Sequence, residues 1–420
     1  MAATTGAVLG TVLASDGAAE ALPWLRAWVT DRNGARNALA TIIGIQVTLV
    51  TIALSTTTLV YQTISGLFSP RLYGIISLSA SLNREILLFV LSSAYTVGGV
   101  RELSLSAPEA APRPVVLGGL VLLLIALTSA LTTIVQTFRR VQVEEILQRT
   151  CERTLAATRR LERAQRALAP ASSPPPAPPP QAIPIHASRS GYLIGLDLPR
   201  LERLARRFGL LVRLERRTGD FVARGEALGW FTANGGVLQD GVAEALARGV
   251  FVDERRSPFL DVGFGLRVLA DIADRALSAA INDPTTARQT LHQMRVVLRR
   301  LVDMPLGDVA LIDERGELRV SVALPQFQDY LATALDGPSR YGAVDADIVS
   351  ELLDVALEVG RAAHRPERRA AVREVAARVI ADAARLGNVD AARLAELQRK
   401  ERAVAVALEH DPAQPKFRAS

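Results

Sequence analysis

The residues with the clearest capacity for chemistry lie close together in the C-terminal half of the chain. Asp271, Asp274, Asn282 and Asp283 place carboxylate and amide oxygens in one short segment, and divalent cations prefer such ligands. A structural explanation competes, since Asn or Asp before a proline typically caps the start of a helix. A polar site built from Asn282, Asp283 and Thr286 is the alternative to the cap. We call the wider set the polar motif: Arg267, Asp271, Asn282, Asp283 and Thr286.

Residue types that carry out most other enzymatic chemistry are scarce. Cys151 is the single cysteine, which excludes a disulfide within the chain and a cysteine-based metal site. The four histidines are far apart in sequence, a spacing that argues against zinc. The chain also contains no phosphate-binding P-loop, no dinucleotide-binding glycine pattern and no nucleophile elbow. We therefore predict a protein that is not an enzyme and has no cofactor or metal.

Charge and hydropathy are distributed unevenly along the 420 residues. The net charge is +6, carried almost wholly by arginine, and the arginines alternate with Glu and Asp as on solvated helix faces. Because no basic stripe with interspersed aromatic residues occurs, we do not expect nucleic acid as a partner. Apolar residues make up 49% of the chain and are concentrated before residue 138, which indicates a membrane region followed by a soluble region.

Three segments have the length and composition to cross a lipid bilayer, at residues 37–67, 84–101 and 114–138. A hydrocarbon core of about 30 Å requires about 20 apolar helical residues, and the arginines that flank the shorter second segment can extend outward. Residues 1–36 are either a truncated first membrane helix or a surface segment. Arginines after the last span favour a cytoplasmic C-terminus, so we expect a multi-pass protein of the bacterial inner membrane.

The first span carries a stripe of small and polar residues at alternating steps of four and three. Such residues favour close helix packing in lipid, and the spacing keeps them on one side of the helix. The stripe is either a packing surface between helices or a wetted surface that lines a pore between protomers. In both cases we expect a homo-oligomer. Its polar members form what we call the hydroxyl seam: Thr41, Thr48, Thr51, Ser55, Thr58 and Gln62.

An interface motif, Phe68-Ser69-Pro70-Arg71, follows the first span. Pro70 disfavours helix at Ser69, and an arginine is costly in hydrocarbon. Arg71 is therefore expected to mark the end of the membrane helix at the interface, with a gate or anion contact as the alternative.

The soluble half is divided by a proline-rich run. We predict a helical stalk over residues 139–169 whose thin heptad pattern packs on neighbours, then an extended linker at 170–184. Period-two alternation and a Thr-Gly-Asp turn predict a mixed α+β domain with a small barrel-like unit over 185–324. The pattern over residues 325–420 predicts amphipathic helices. The predicted fold is thus an α-helical polytopic membrane domain joined to a cytosolic α+β domain and a helical C-terminal region.

Several short motifs occur in a fixed order: "LFSPRL", "SGYL", "GDFVARG", "FGLR", "DIADRALS" and "INDPTTA". In this order, behind a multi-span region, they resemble the bacterial integral membrane proteins of domain of unknown function 2254. The resemblance implies an inner-membrane protein with a cytosolic domain and no assigned activity. Two departures are a missing or shortened first membrane helix, and Ala279-Ala280 where the family tends to have Pro-Gly. The matching positions are Phe68, Ser69, Pro70, Arg71, Gly191, Gly219, Asp220, Gly225, Phe264, Gly265, Arg267, Asp271, Asn282, Asp283, Pro284 and Ala287.

Two functional hypotheses follow from these patterns. The first is a homo-oligomeric conduit for ions or small solutes, with the hydroxyl seam along the path and the cytosolic domain as regulator. The second is a membrane-anchored sensor or scaffold that binds a cytosolic protein or a small ligand. No charged residue lies within the apolar cores of the predicted spans, which disfavours an ion-coupled mechanism.

Overall fold

The computed structural model describes residues 32–67, 79–105, 113–140, 142–166, 169–170, 177–233, 240–387 and 389–409. The chain forms two compact units, Met1–Glu145 and Ile146–Ser420, called here the membrane unit and the C-terminal unit. The interface motif and the segment before residue 32 lie outside the described residues.

The membrane unit consists, in its described part, of three helices: α1 (Arg32–Leu67), α2 (Ser79–Leu105) and α3 (Arg113–Arg140). Each contains a stretch long and apolar enough to cross a membrane, at Asn33–Val60, Asn83–Leu105 and Val115–Gln136. The described residues thus contain three helices long and apolar enough to be the spans that the sequence predicted. Each helix packs against the other two, around a small apolar core that includes Leu39, Ile42 and Val115.

Buried polar side chains also join the three membrane helices. Gln46 of α1 donates to Ser92 of α2 at 2.5 Å and accepts from Ser93 at 3.1 Å. The Glu85 carboxylate accepts from Ser129 at 2.6 Å and from Thr133 at 2.7 Å on α3. Hydrogen bonds of this kind hold helices together where no water competes. The sequence patterns did not single out either cluster, because each draws its members from two helices.

The C-terminal unit contains two sheets. The larger has the strand order β1-β8-β9-β4-β6-β2, in which β4 and β9 run parallel and the other neighbours are antiparallel. The smaller, with the order β5-β3-β7, is antiparallel. Both sheets contribute to one apolar core. The strands are β1 (Ala169–Pro170), β2 (Ile183–His186), β3 (Gly191–Leu196), β4 (Leu210–Leu214), β5 (Phe221–Val222), β6 (Ala227–Ala233), β7 (Val250–Asp253), β8 (Val309–Ile312) and β9 (Leu318–Val322).

Helices make up the rest of the described C-terminal unit. Helix α7 lies against α8 and α9, and α10 packs against α8, α11 and α12, so the expected helical region forms a bundle. The helices are α4 (Val143–Arg166), α5 (Leu198–Arg207), α6 (Val242–Ala247), α7 (Val262–Ala276), α8 (Pro284–Leu301), α9 (Phe327–Gly342), α10 (Ala346–Arg361), α11 (Pro366–Leu386) and α12 (Ala391–Glu409).

Helix α4, which the sequence predicted as part of a stalk, packs inside the C-terminal unit. Leu147, Thr150, Thr154 and Ala157 of its heptad pattern are buried. The contact with α7 is so close that a Cβ built on Gly265 would lie 2.1 Å from the Thr154 hydroxyl. The family-like glycine at position 265 is therefore explained by helix packing. Since α3 ends at Arg140 and α4 begins at Val143, one continuous helix does not connect them.

The strands around the Thr-Gly-Asp turn differ from the barrel-like arrangement that we expected. β4 belongs to the six-stranded sheet and β5 to the three-stranded sheet, so the two do not pair as a hairpin. The turn instead carries the chain from one sheet to the other. Strands β8 and β9 pair as an antiparallel hairpin, and residues 171–176 of the proline-rich run lie outside the described residues.

Candidate functional site

A cavity of about 480 Å³ opens in the C-terminal unit, between α4, the first turn of α7, α9, strand β3 and the turn after β4. Three residues of the family-like motifs line it, namely Gly219, Asp220 and Arg267. Its walls combine apolar side chains such as Leu161 and Leu198 with several arginines and aspartates. A concave site of this size with a few polar groups is typical of small-molecule binding.

The first turn of α7 is fixed by an ion pair at the cavity wall. Asp261 caps the helix by accepting from the Phe264 backbone N–H at 2.9 Å. Its other carboxylate oxygen binds Arg256 through two guanidinium nitrogens, at 2.7 and 2.6 Å. The Arg256 guanidinium also lies over the rings of Tyr192 and Phe264, and stacking of this kind restricts the side chain further.

A second ion pair fixes the turn after β4. Arg217 binds the Asp329 carboxylate of α9 at 2.9 Å, and its backbone N–H donates to Asp220 at 2.8 Å. Gly219 adopts a φ of +100°, a left-handed conformation that glycine tolerates best. A Cβ there would also lie 2.6 Å from the Arg256 guanidinium, so the glycine leaves room for the neighbouring ion pair.

Two further cavity arginines have no carboxylate within ion-pair distance among the described residues. They are Arg160 on α4 and Arg267 on α7, and both side chains are exposed. The phenol of Tyr330 also lines the cavity, although only 5% of this residue is exposed. Burial, together with the charges of Asp261 and Asp329, raises the pKa of Tyr330. The phenol therefore stays protonated and can donate a hydrogen bond.

The structure separates the members of the polar motif. Arg267 lines the cavity near the start of α7, whereas Asn282 and Asp283 follow the end of this helix. Asn282 has a φ of +48°, and Asp283 caps α8 by accepting from the Thr286 N–H at 3.0 Å and its hydroxyl at 2.5 Å. These hydrogen bonds also lower the pKa of Asp283. This is the geometry of the helix-cap interpretation, and in the described residues no group of three or more His, Cys, Asp or Glu side chains is placed to hold a metal.

Asp274, one helical turn beyond Asp271, has an unusual environment. Its Oδ1 is buried without a hydrogen-bond partner among the described residues. Helix α9 approaches it so closely that a Cβ on Gly337 would lie 2.2 Å from its Oδ2. Burial, with the nearby charge of Asp271, raises the pKa of Asp274 from 3.8 to about 7. Near neutral pH this side chain is therefore a mixture of carboxyl and carboxylate.

We expect Asp274→Asn to stabilise the protein at pH 8 and to change its stability little near pH 4. The folded state binds the Asp274 proton more tightly than the unfolded state, so this stabilisation is complete below about pH 4. This stabilisation is lost as the pH rises through about 7. The asparagine variant has no carboxyl group at this position, so its stability does not fall in this range. Urea unfolding of both proteins across this pH range measures the difference. A variant advantage of equal size at pH 4 and pH 8 would contradict the assignment.

The hydroxyl seam is exposed on the side of α1 away from the other described helices of the membrane unit. All six of its residues are exposed, and the hydroxyls of Thr48, Thr51 and Thr58 donate to carbonyls one turn earlier in α1 at 2.9–3.0 Å. Packing between α1 and its neighbours uses Leu39, Ile42 and Gln46 instead. A role for the seam between protomers stays a prediction.

Sequence reasoning missed most of the cavity. It singled out Arg267 but not Arg160, Tyr330 or the Arg256–Asp261 pair. One local signal was available, because Asp261 stands before "VGFGLR" at the start of an apolar helix, where an aspartate commonly caps. The other residues come from distant segments and have no local pattern.

The apolar helices, the two-sheet C-terminal unit and its helical bundle define an integral membrane protein with a large soluble α+β unit. The family model "Predicted membrane protein (DUF2254)" matches residues 1–358, and the chain belongs to this family. Similar relatives are the uncharacterized proteins Rv1290c of Mycobacterium tuberculosis and Mb1321c of Mycobacterium bovis. Each is 29% identical over 356 residues, which cover 84% of this chain and 68% of the relative. No solved structure matches the chain.

Proposed function

We propose that this protein is a membrane-anchored receptor whose C-terminal unit binds a small polar ligand in the cavity. The observation that carries the proposal is the convergence of the GDFVARG and FGLR motifs, through Asp220 and Arg267, on one cavity. Two ion pairs keep its walls in place without a ligand, and preorganised polar groups of this kind reduce the cost of binding. The proposal places the C-terminal unit in the cytoplasm, because Arg139 and Arg140 follow the last span.

A second candidate is a homo-oligomeric conduit for ions or small solutes that the C-terminal unit regulates. The hydroxyl seam favours it, because its six polar residues along α1 are exposed in the described part of the membrane unit. A second copy that packed along this face would bring two such seams together. The scaffold form of the receptor hypothesis replaces the small ligand with a cytosolic protein.

The deciding experiment measures ligand binding by the full chain purified in detergent. Thermal unfolding in the presence of a panel of metabolites is compared for the native protein, Leu161→Trp and Arg159→Trp. Leu161 lines the cavity, so the tryptophan fills it, while Arg159 is exposed on the same helix outside the cavity. We expect one class of metabolite to stabilise the native protein and Arg159→Trp but not Leu161→Trp.

Two outcomes would count against these proposals. If no metabolite stabilises the native protein, or if Leu161→Trp responds like the native protein, the cavity is not a ligand site. The same preparation in liposomes tests the conduit, since a conduit gives solute flux and an anchored receptor gives none.

A further inference from the structure

We propose that the cavity ligand carries a phosphate group, bound by Arg160, Arg267, the Tyr330 phenol and the first turn of α7. This inference rests on the proposed function, since it names the chemical class of the ligand in the same cavity. It depends on which charged groups in the cavity are already paired and which are not.

The described lining of the cavity has an excess of one positive charge, since it contains four arginines and three aspartates, Asp220, Asp261 and Asp329. Of its four arginines, Arg217 and Arg256 are neutralised by Asp329 and Asp261 at 2.9 and 2.6 Å. Arg160 and Arg267 have no such partner among the described residues, and Arg267 lies two helical turns from Asp274, which is partly protonated near neutral pH. Guanidinium groups bind phosphate and carboxylate oxygens in a bidentate manner, so an anion is the ligand that these two side chains favour.

A neutral hydrogen-bond donor, the phenol of Tyr330, lines the same cavity. Only 5% of this residue is exposed. Its hydroxyl has no hydrogen-bond partner among the described residues. The hydroxyl is therefore free to donate to a ligand oxygen in the cavity. Because burial, together with the neighbouring carboxylates, raises the pKa of Tyr330, the phenol stays protonated and can donate a hydrogen bond to an anion.

The start of α7 adds backbone donors on the same wall. Val262 and Gly263 of the first turn line the cavity, and a Cβ on Gly263 would lie 3.7 Å from the Tyr330 ring. The phenol and the helix N-terminus are therefore neighbours. Backbone N–H groups at a helix start favour anions, and because Asp261 already accepts from the Phe264 N–H, the N–H groups that a ligand would use here are those of Val262 and Gly263. Donors on α4, α7 and α9 line one cavity, and a phosphate group offers more acceptor oxygens to them than a carboxylate does.

The test uses the full chain in detergent and radiolabelled pyrophosphate as the probe, in equilibrium dialysis at constant ionic strength. We expect one pyrophosphate bound per chain. Arg267→Gln and Arg160→Gln should each weaken binding by about ten- to hundredfold, because each removes a charge-assisted hydrogen bond. Tyr330→Phe should weaken it by about fivefold, and it should fold normally because the hydroxyl has no partner to lose. Arg159→Gln, on the exposed side of α4, is the matched control and should bind like the native protein.

The outcomes separate this inference from the proposed function. No saturable pyrophosphate binding, or equal weakening by Arg159→Gln and Arg267→Gln, would overturn the phosphate assignment. If a neutral metabolite then stabilises the native protein but not Leu161→Trp, the receptor proposal is supported and the assignment of a phosphate-containing ligand is wrong. Phosphatidic acid added to the detergent distinguishes the source. A soluble phosphorylated ligand predicts no displacement of pyrophosphate, and displacement would assign the phosphate to a lipid headgroup.

Discussion

Gly229→Ala is expected to lower the free energy of unfolding of the C-terminal unit by about 3 kcal/mol. Gly229 lies in β6, opposite Leu214 of β4, and a Cβ there would lie 2.0 Å from the Arg213 carbonyl oxygen and 2.8 Å from the Leu214 Cα. These are backbone atoms of a strand held on both sides, by β6 and by β9. The added methyl group can therefore be accommodated only by disturbing the sheet.

A matched control is Gly195→Ala in β3. Its Cβ would lie 3.6 Å from the Phe251 ring, which is an ordinary contact, so we expect a change within about 0.5 kcal/mol. Urea unfolding in detergent, followed by Trp230 fluorescence in a Trp24→Phe/Trp28→Phe background, measures both variants. Equal unfolding midpoints for the two alanine variants would show that β4 and β6 are not as close as described.

Asp261→Ala is expected to cost about 3–5 kcal/mol, because it leaves the partly buried Arg256 without its counter-charge. Asp261 is 5% exposed and holds Arg256 through two guanidinium nitrogens. The substitution also removes the cap of α7, which contributes about 1 kcal/mol by itself. Asp261→Asn keeps an oxygen for the cap and should cost less than the alanine variant.

Asp345→Ala provides the comparison that isolates the ion pair. Asp345 caps α10 by accepting from the backbone of Asp347 and Ile348 at 2.9 and 3.1 Å, with no arginine at its carboxylate among the described residues. Its loss should cost about 1 kcal/mol, measured by the same urea unfolding. If Asp261→Ala costs no more than Asp345→Ala, then the Arg256–Asp261 pair does not stabilise the cavity wall.

Local sequence signals predicted those elements whose causes are local. The three membrane helices follow from the length of their apolar segments, and the β8–β9 hairpin follows from alternating residues around Asp-Glu-Arg-Gly. The cap at Asp283 depends on a hydrogen bond to Thr286, three residues away. In each case the interacting residues are neighbours in sequence, so a pattern in the chain is sufficient to predict the contact.

The polar motif shows where such reasoning reached its limit. Its residues are close in sequence, yet Arg267 lies near the start of α7 and Asp283 follows the end of this helix, and of the motif only Arg267 lines the cavity. Residues that are close together in the sequence therefore do not all belong to one binding site. The cavity instead joins Arg160, Arg217 and Tyr330, which come from α4, a turn and α9.

The amino-acid sequence by itself determined that this protein belongs in a membrane, how many of its described helices are long enough to cross it, and which family it resembles. Hydropathy and short motifs are properties of continuous segments, so they can be recognised in the sequence without knowledge of the fold. Only the tertiary structure decided that α4 packs against Gly265, that Arg217 pairs with Asp329, and that two other arginines line a cavity with no carboxylate at ion-pair distance among the described residues. Those features depend on contacts between residues far apart in the chain, and such contacts exist only once the sheets and helices have packed.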